Sequence, residues 1–157
     1  MKKITPFLWF DSQAEEAMNF YISIFKNSKV VNVTRNPEEA PGPKGQVTIA
    51  TFELDGQEFM ALNGGPEFNF TEAISFYVDC KSQQEVDKLW NKLSAGGEKG
   101  RCGWLKDKYG LSWQIVPSVL GELMGDKDPQ KARRVMEAML QMDKIDIAAL
   151  KLAYEQQ

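Results

Sequence analysis

The stretch Cys102-Gly103-Trp104-Leu105-Lys106-Asp107-Lys108-Tyr109-Gly110-Leu111-Ser112-Trp113-Gln114-Ile115-Val116-Pro117 decides how this chain is read. Aromatic-rich runs flank Asp107 to Gly110, and Gly110 can take the positive φ a tight turn needs, so the stretch predicts a β-hairpin. It carries two tryptophans, a cysteine and a glutamine. The whole chain contains no histidine. Imidazole is therefore unavailable as a metal ligand or a proton shuttle. Whatever the hairpin presents to a ligand must come from sulfur, amide, indole and ammonium groups.

Upstream of the hairpin, Ala73 to Val78 predicts a strand. Ser82-Gln83-Gln84-Glu85 has the form of a capping box, and Val86, Leu89, Trp90 and Leu93 then fall on one face of a helix. Gly96-Gly97 stops that helix, and a Gly-rich approach from Gly96 to Gly103 leads into the hairpin. The same order occurs earlier. Ile4 to Phe10 predicts a buried strand, and Ser12-Gln13-Ala14-Glu15 a first capping box. The helix after it has Ala14, Ala17, Met18, Tyr21, Ile22 and Phe25 on one face. Strands follow at Lys29 to Thr34, Gln46 to Leu54 and Glu58 to Leu62. Asp55-Gly56 joins the last two as a hairpin turn. Asn36 to Gly45, with three prolines and two glycines, is a surface loop.

The chain is thus expected to be α+β: tandem βαβββ modules, the second abbreviated, followed by a C-terminal helical arm. Residues 1–65 form the first module, 66–117 the second and 118–157 the arm, all in a single domain. Asn63-Gly64-Gly65-Pro66 and the residues to Thr71 read as the crossover. In the arm, Leu120, Leu123 and Met124 suggest a short helical turn. Asp128-Pro129 opens a helix with Ala132, Val135, Met136, Met139 and Leu140 on one face. Asp143-Lys144-Ile145-Asp146 caps a last helix with Ile147, Leu150 and Tyr154 on one side. Covering its own domain and reaching onto a second subunit are both open readings of the arm.

At 157 residues, with 43% hydrophobic and 11% aromatic content, the chain can bury a sizeable core. A net charge of −3 and a pI of about 5.1, with no basic stripe, argue against a nucleic-acid partner. No apolar run is long enough to span a bilayer, and Met1 to Pro6 lacks a signal-peptide apolar region, so no membrane partner and a cytoplasmic location are expected. Cys80 and Cys102 make neither a disulfide framework nor a zinc site and read as free thiols.

Phe20-Tyr21 in the first helix and Asp107 to Ile115 near the end resemble motifs of the vicinal-oxygen-chelate superfamily, the glyoxalase and bleomycin-resistance fold. Pro6-Phe7-Leu8-Trp9-Phe10, Leu62-Asn63-Gly64-Gly65-Pro66, Ala73-Ile74-Ser75-Phe76, Cys102 to Asp107 and Met142-Asp143-Lys144-Ile145-Asp146 look like the PhnB-like, demethylubiquinone methyltransferase-like branch. The resemblance covers essentially the whole chain. It implies paired modules forming a curved, open mixed sheet around a cavity, completed in a homodimer. Metal enzymes of the superfamily hold a divalent ion there with His and Glu. Here the matching positions carry Gln114, Ala73, the apolar or hydroxyl residues Thr5 to Leu8, and Met60, Ala61 and Leu62. One amide oxygen does not hold a catalytic divalent ion, so no metal is expected.

A nucleotide-like cofactor needs a Gly-rich loop after a strand and before a helix. Gly96-Gly97-Glu98-Lys99-Gly100 follows a helix and leads into a strand, so no cofactor is expected. Cys102, beside Arg101 and near Lys99, is a candidate nucleophile or a small packing residue. Lys106 is a candidate for an anionic ligand or acid–base work, or a solvent-facing side chain. On the implied fold, Trp9, Phe76, Trp104 and Trp113 suggest aromatic walls, with Asn63 and Gln114 as orienting amides.

Three functions stay open. The leading one is a metal-free small-molecule-binding protein with its ligand in an aromatic-lined cavity. The second is an enzyme, methyltransferase-like by the resemblance or using Cys102 or Lys106 as acid or base. The third is a dimeric partner-binding protein that uses the arm.

Overall fold

The computed structural model describes residues 3–39 and 42–156; Ala40 and Pro41 of the expected loop lie outside the described residues. The chain divides into two compact units, Met1–Asn69 and Phe70–Gln157.

Unit 1 consists of β1 (Phe7–Phe10), α1 (Ala14–Ile24), β2 (Lys29–Arg35), β3 (Val47–Leu54) and β4 (Gln57–Asn63). Its sheet has the order β1-β4-β3-β2, with β1 parallel to β4 and the other pairs antiparallel. The Asp55-Gly56 turn is made with both residues at positive φ, 48° and 77°, as a two-residue hairpin requires. Alternation along the strands sends Leu8, Phe10, Ala50, Phe52, Phe59 and Ala61 to the buried side, where Ala14, Ala17, Met18, Tyr21 and Ile24 of α1 are also buried. Ile24 replaces Ile22 in the expected helical face. Ile4 is 84% exposed and lies outside the first strand, which is shorter than its apolar run suggested.

The start of α1 differs from expectation in a second way. Gln13, not Ser12, is the cap residue, and no local side chain accepts a helix N–H. The cap comes instead from the last strand. Asn63 Oδ1 accepts the Ala14 N–H at 2.8 Å, while its Nδ2 donates to the Val47 carbonyl at 2.9 Å. Glu15 is drawn off into an ion pair with Arg35.

Unit 2 repeats the plan with β5 (Ser75–Cys80), α2 (Gln83–Ser94), β6 (Glu98–Lys99), β7 (Trp104–Lys106) and β8 (Ser112–Pro117), in the order β5-β8-β7-β6. All three strands after the helix are present. The abbreviation is one of length, since β6 has two residues and β7 three. Ser82 caps α2 by accepting the Glu85 N–H at 3.2 Å, and the four expected apolar residues of the helix are all buried.

The arm is α3 (Ser118–Met124), α4 (Pro129–Leu140) and α5 (Ile147–Glu155). It folds onto unit 2 itself. Val116, Leu120, Val135, Ile145 and Leu150 form one buried cluster. The segment before α5 is latched to the module. Cys102 and Gly103 N–H donate to the Met142 and Asp143 carbonyls, each at 2.8 Å. The Gln83 amide donates to the Ile145 carbonyl at 3.0 Å and accepts from the Ile147 N–H at 2.8 Å. Lys144 pairs with Asp87 at 2.9 Å. No helix of the described residues is long and apolar enough to cross a membrane.

Candidate functional site

Within unit 2 the predicted site residues separate onto the two faces of one sheet. Phe76 pairs in register with Trp113, and Leu105 also pairs with Trp113. These residues share a face with Ile115 and Cys80, both fully buried, and this is the face on which α2 packs. Trp113 is 3% exposed, and its ring lies 5.5 Å from that of Phe76. Trp113 is therefore a core residue and not a cavity wall, and Phe76 shares its face.

Trp104 pairs directly with Gln114, and Gln114 with Tyr77, on the opposite face. Ser75, Ser112 and Lys106 form the neighbouring row. Gln114 Nε2 donates to Ser75 Oγ at 2.9 Å, which turns Oε1 away from that contact. Lys106 forms an ion pair with Glu72 and stands opposite Glu98 in register. The hydrogen bond to Glu72 holds the Lys106 ammonium above the ordinary lysine range and the Glu72 carboxyl below the usual carboxylate range. That environment works against Lys106 as a proton-accepting base.

In unit 1, Trp9 lies on the face opposite α1 and is held by the crossover. Its indole N–H donates to the Gly65 carbonyl at 2.9 Å, and Phe68 meets it edge-on at 5.0 Å. A Cβ on Gly64 would fall 2.3 Å from the indole ring, so the glycine is what admits the tryptophan. Asn63 points to the other side and braces α1. The motif Leu62 to Pro66 is thus explained by packing around Trp9 and capping of α1.

Cys102 sits at φ 58°, and its thiol donates to the Met139 carbonyl at 3.6 Å. Its backbone and side chain both join the module to the arm. Asp107, expected at a hairpin tip, is 2% exposed. Its Oδ1 accepts the N–H groups of Tyr109 and Leu111 at 2.9 and 3.1 Å, and its Oδ2 accepts the Trp113 indole at 2.9 Å. Sequence reasoning missed this role. The signal was present in an Asx-type residue opening a turn closed by glycine.

The donor set does not fit a divalent cation. Around Gln114 the sheet face offers hydroxyls, an amide and an indole, and among the described residues no three Asp, Glu or Cys side chains converge to hold a metal. Nor does Gly96 to Gly100 fit a nucleotide-type cofactor. Gly96, at φ 76°, ends α2, and the next residues enter β6. A groove of about 410 Å³ lies apart from these residues, on the arm beside Arg134, Ala149, Leu152 and Ala153.

Two modules with the same strand order, each a βαβββ unit, define a protein of the glyoxalase and bleomycin-resistance fold. The solved structures agree. A fosfomycin resistance protein, FosX, from Listeria monocytogenes superposes with a TM-score of 0.54 at 17% identity, covering 77% of this chain and 94% of that one. A protein from Pseudomonas aeruginosa superposes with a TM-score of 0.60 at 20% identity, covering 74% and 98%. The PhnB protein from Bacillus cereus is 43% identical, with a TM-score of 0.71 and coverage of 74% of this chain and 100% of that one. Residues 2–116 match the family described as 3-demethylubiquinone-9 3-methyltransferase, and the chain belongs to that family. The matched region ends at β8, so α3 to α5 lie beyond it. No curated protein matches the chain.

Proposed function

We propose that the chain is a metal-free small-molecule-binding protein, and that Trp104 and Gln114 form the centre of its ligand site. The observation that carries this reading is their direct pairing on the sheet face opposite α2. There an indole plane stands beside an amide that commits one N–H to Ser75 and keeps its oxygen for a ligand. Such a surface suits a planar ligand held by stacking and one or two directed hydrogen bonds. Trp9, with its N–H already bonded to Gly65, serves as an apolar wall on its own sheet. Asn63 acts as a positioning residue through α1, while Phe76 and Trp113 support the sheet from behind.

Equilibrium dialysis against Mn²⁺, Ni²⁺ and Zn²⁺ tests the metal-free part. We expect no stoichiometric retention; one tightly held ion per chain overturns the reading. The homodimer implied by the resemblance belongs to the same proposal and is checked by the mass of the full chain in solution.

The family match favours a second reading, methyl transfer to a ring substrate. It requires a methyl-donor site of a form different from a strand–glycine loop–helix. Methyl transfer from a sulfonium donor to a demethylated quinol, lost in Trp104→Ala, would establish it; no turnover by the wild type removes it.

A further inference from the structure

We propose that the site on unit 2 selects neutral ligands that carry an N–H or O–H donor beside an acceptor, such as carboxamides, and discriminates against carboxylates. This rests on the Trp104–Gln114 face being the ligand site, and it specifies the chemical class that face takes.

Three groups on the face have hydrogen-bonding capacity that no described residue meets. The Trp104 indole N–H and Gln114 Oε1 bond to no other described residue, and both side chains are only partly buried, so a ligand replaces solvent there. Ser112 Oγ, on a residue 1% exposed, has no partner at all. The first two are direct cross-strand neighbours, with Cβ atoms about 4.5–5.5 Å apart in such pairs. Neighbouring side chains that offer one donor and one acceptor match a ligand that offers the reverse pair. Trp9 makes the contrast clear, because its N–H is already spent on Gly65.

Charge decides against anions. Lys106 is the cation of the adjacent row, and it is flanked by Glu72 in an ion pair and by Glu98 in register. One positive and two negative groups leave that row with a net charge of −1 in its ionised form. A carboxylate ligand would meet no uncompensated cation there, and it carries no donor for Gln114 Oε1. A ligand that cannot donate leaves that oxygen desolvated and unpaired, a loss on the order of a net hydrogen bond.

The test uses three probes built on one ring, applied to the full chain: benzamide, methyl benzoate and benzoate. Binding is followed by the indole ¹H–¹⁵N resonance of Trp104, assigned by its disappearance in Trp104→Phe. Benzamide is expected to shift that resonance with an affinity roughly five- to tenfold above methyl benzoate, and benzoate to bind more weakly than either. In Gln114→Leu, the gap between benzamide and methyl benzoate is expected to close, because benzamide loses its acceptor and methyl benzoate no longer leaves an oxygen unpaired. If the three probes bind equally well, or benzoate binds best, the class assignment is overturned and the site stands. If none moves the Trp104 resonance, the site itself is refuted. The comparison of probes on the wild type does not depend on how well the variant folds.

Discussion

The Trp113 indole N–H donates to the carboxylate of Asp107 at 2.9 Å, and both residues are buried. The same carboxylate accepts two backbone N–H groups of the turn, so one side chain fixes the hairpin and anchors the core behind it. Asp107→Asn keeps the shape and offers one acceptor oxygen where the native group offers two. One of the three donors then faces an NH₂. We expect a loss of about 1–3 kcal/mol in denaturant unfolding. An unchanged midpoint would show that the buried carboxylate adds nothing.

Asn63 and Ser12 give opposite expectations for α1. Asn63→Ala removes the acceptor for Ala14 N–H and the donor to Val47, and should destabilise by about 1–2 kcal/mol. Ser12→Ala removes a side chain that does not cap the helix and should stay within about 0.5 kcal/mol of wild type. Urea midpoints of the two variants measured side by side decide it. A larger effect at Ser12 would restore the local capping box.

The latch between module and arm predicts where unit 2 is fragile. Ile145 is fully buried in the arm's core, and Ile145→Ala should cost about 2–5 kcal/mol. Gly103, at φ 83°, sits under it. A Cβ there would lie 2.8 Å from the Ile115 carbonyl oxygen and 3.2 Å from Ile145, so Gly103→Ala should also destabilise, by more than about 1 kcal/mol. Hydrogen exchange should show lost protection at the Cys102 and Gly103 amides in both variants.

Cys80 gives the chain a specific alkaline sensitivity. Burial, with Glu85 and Asp79 nearby, pushes its thiol up to about 12 from an ordinary value of 9.0. Above the ordinary value the unfolded thiol loses its proton while the native one keeps it, so stability falls as pH rises from about 9 to about 12. The slope from this one group approaches about 1.4 kcal/mol per pH unit. Cys80→Ala should flatten the alkaline limb of a stability–pH curve relative to wild type. Parallel curves would mean the thiol is not held neutral. The same burial makes Cys80 slow toward thiol reagents at neutral pH.

The contrast between the two helices shows what sequence reveals. The start of α2 was legible because its cap is local: Ser82 and Glu85 lie three residues apart, and the pattern is written in consecutive positions. The start of α1 was not, because its cap arrives from Asn63, 49 residues away, and no local pattern encodes that contact. Trp104 and Trp113 look alike in sequence, yet strand register alone sends one to the core and the other to the open face. Asp107 was hidden for the same reason, since a charged residue in a turn reads as solvent-facing until the indole that meets it is placed. The arm was ambiguous because an amphipathic helix states that it must be covered and not by what.

In each sheet the first strand lies beside the last: β1 pairs with β4, and β5 with β8. A ribosome delivers these strands in order, so Phe7–Phe10 emerges about 50 residues before Gln57–Asn63, the neighbour it needs. During that interval it is an unpaired apolar edge of the kind that recruits other chains. Ser75–Cys80 then waits for Ser112–Pro117, and the loop at Cys102 and Gly103 waits in turn for Met142 and Asp143. Nascent chains halted just before Gln57 or just before Ser112 should therefore be the aggregation-prone ones, and the sites at which a chaperone has most to do.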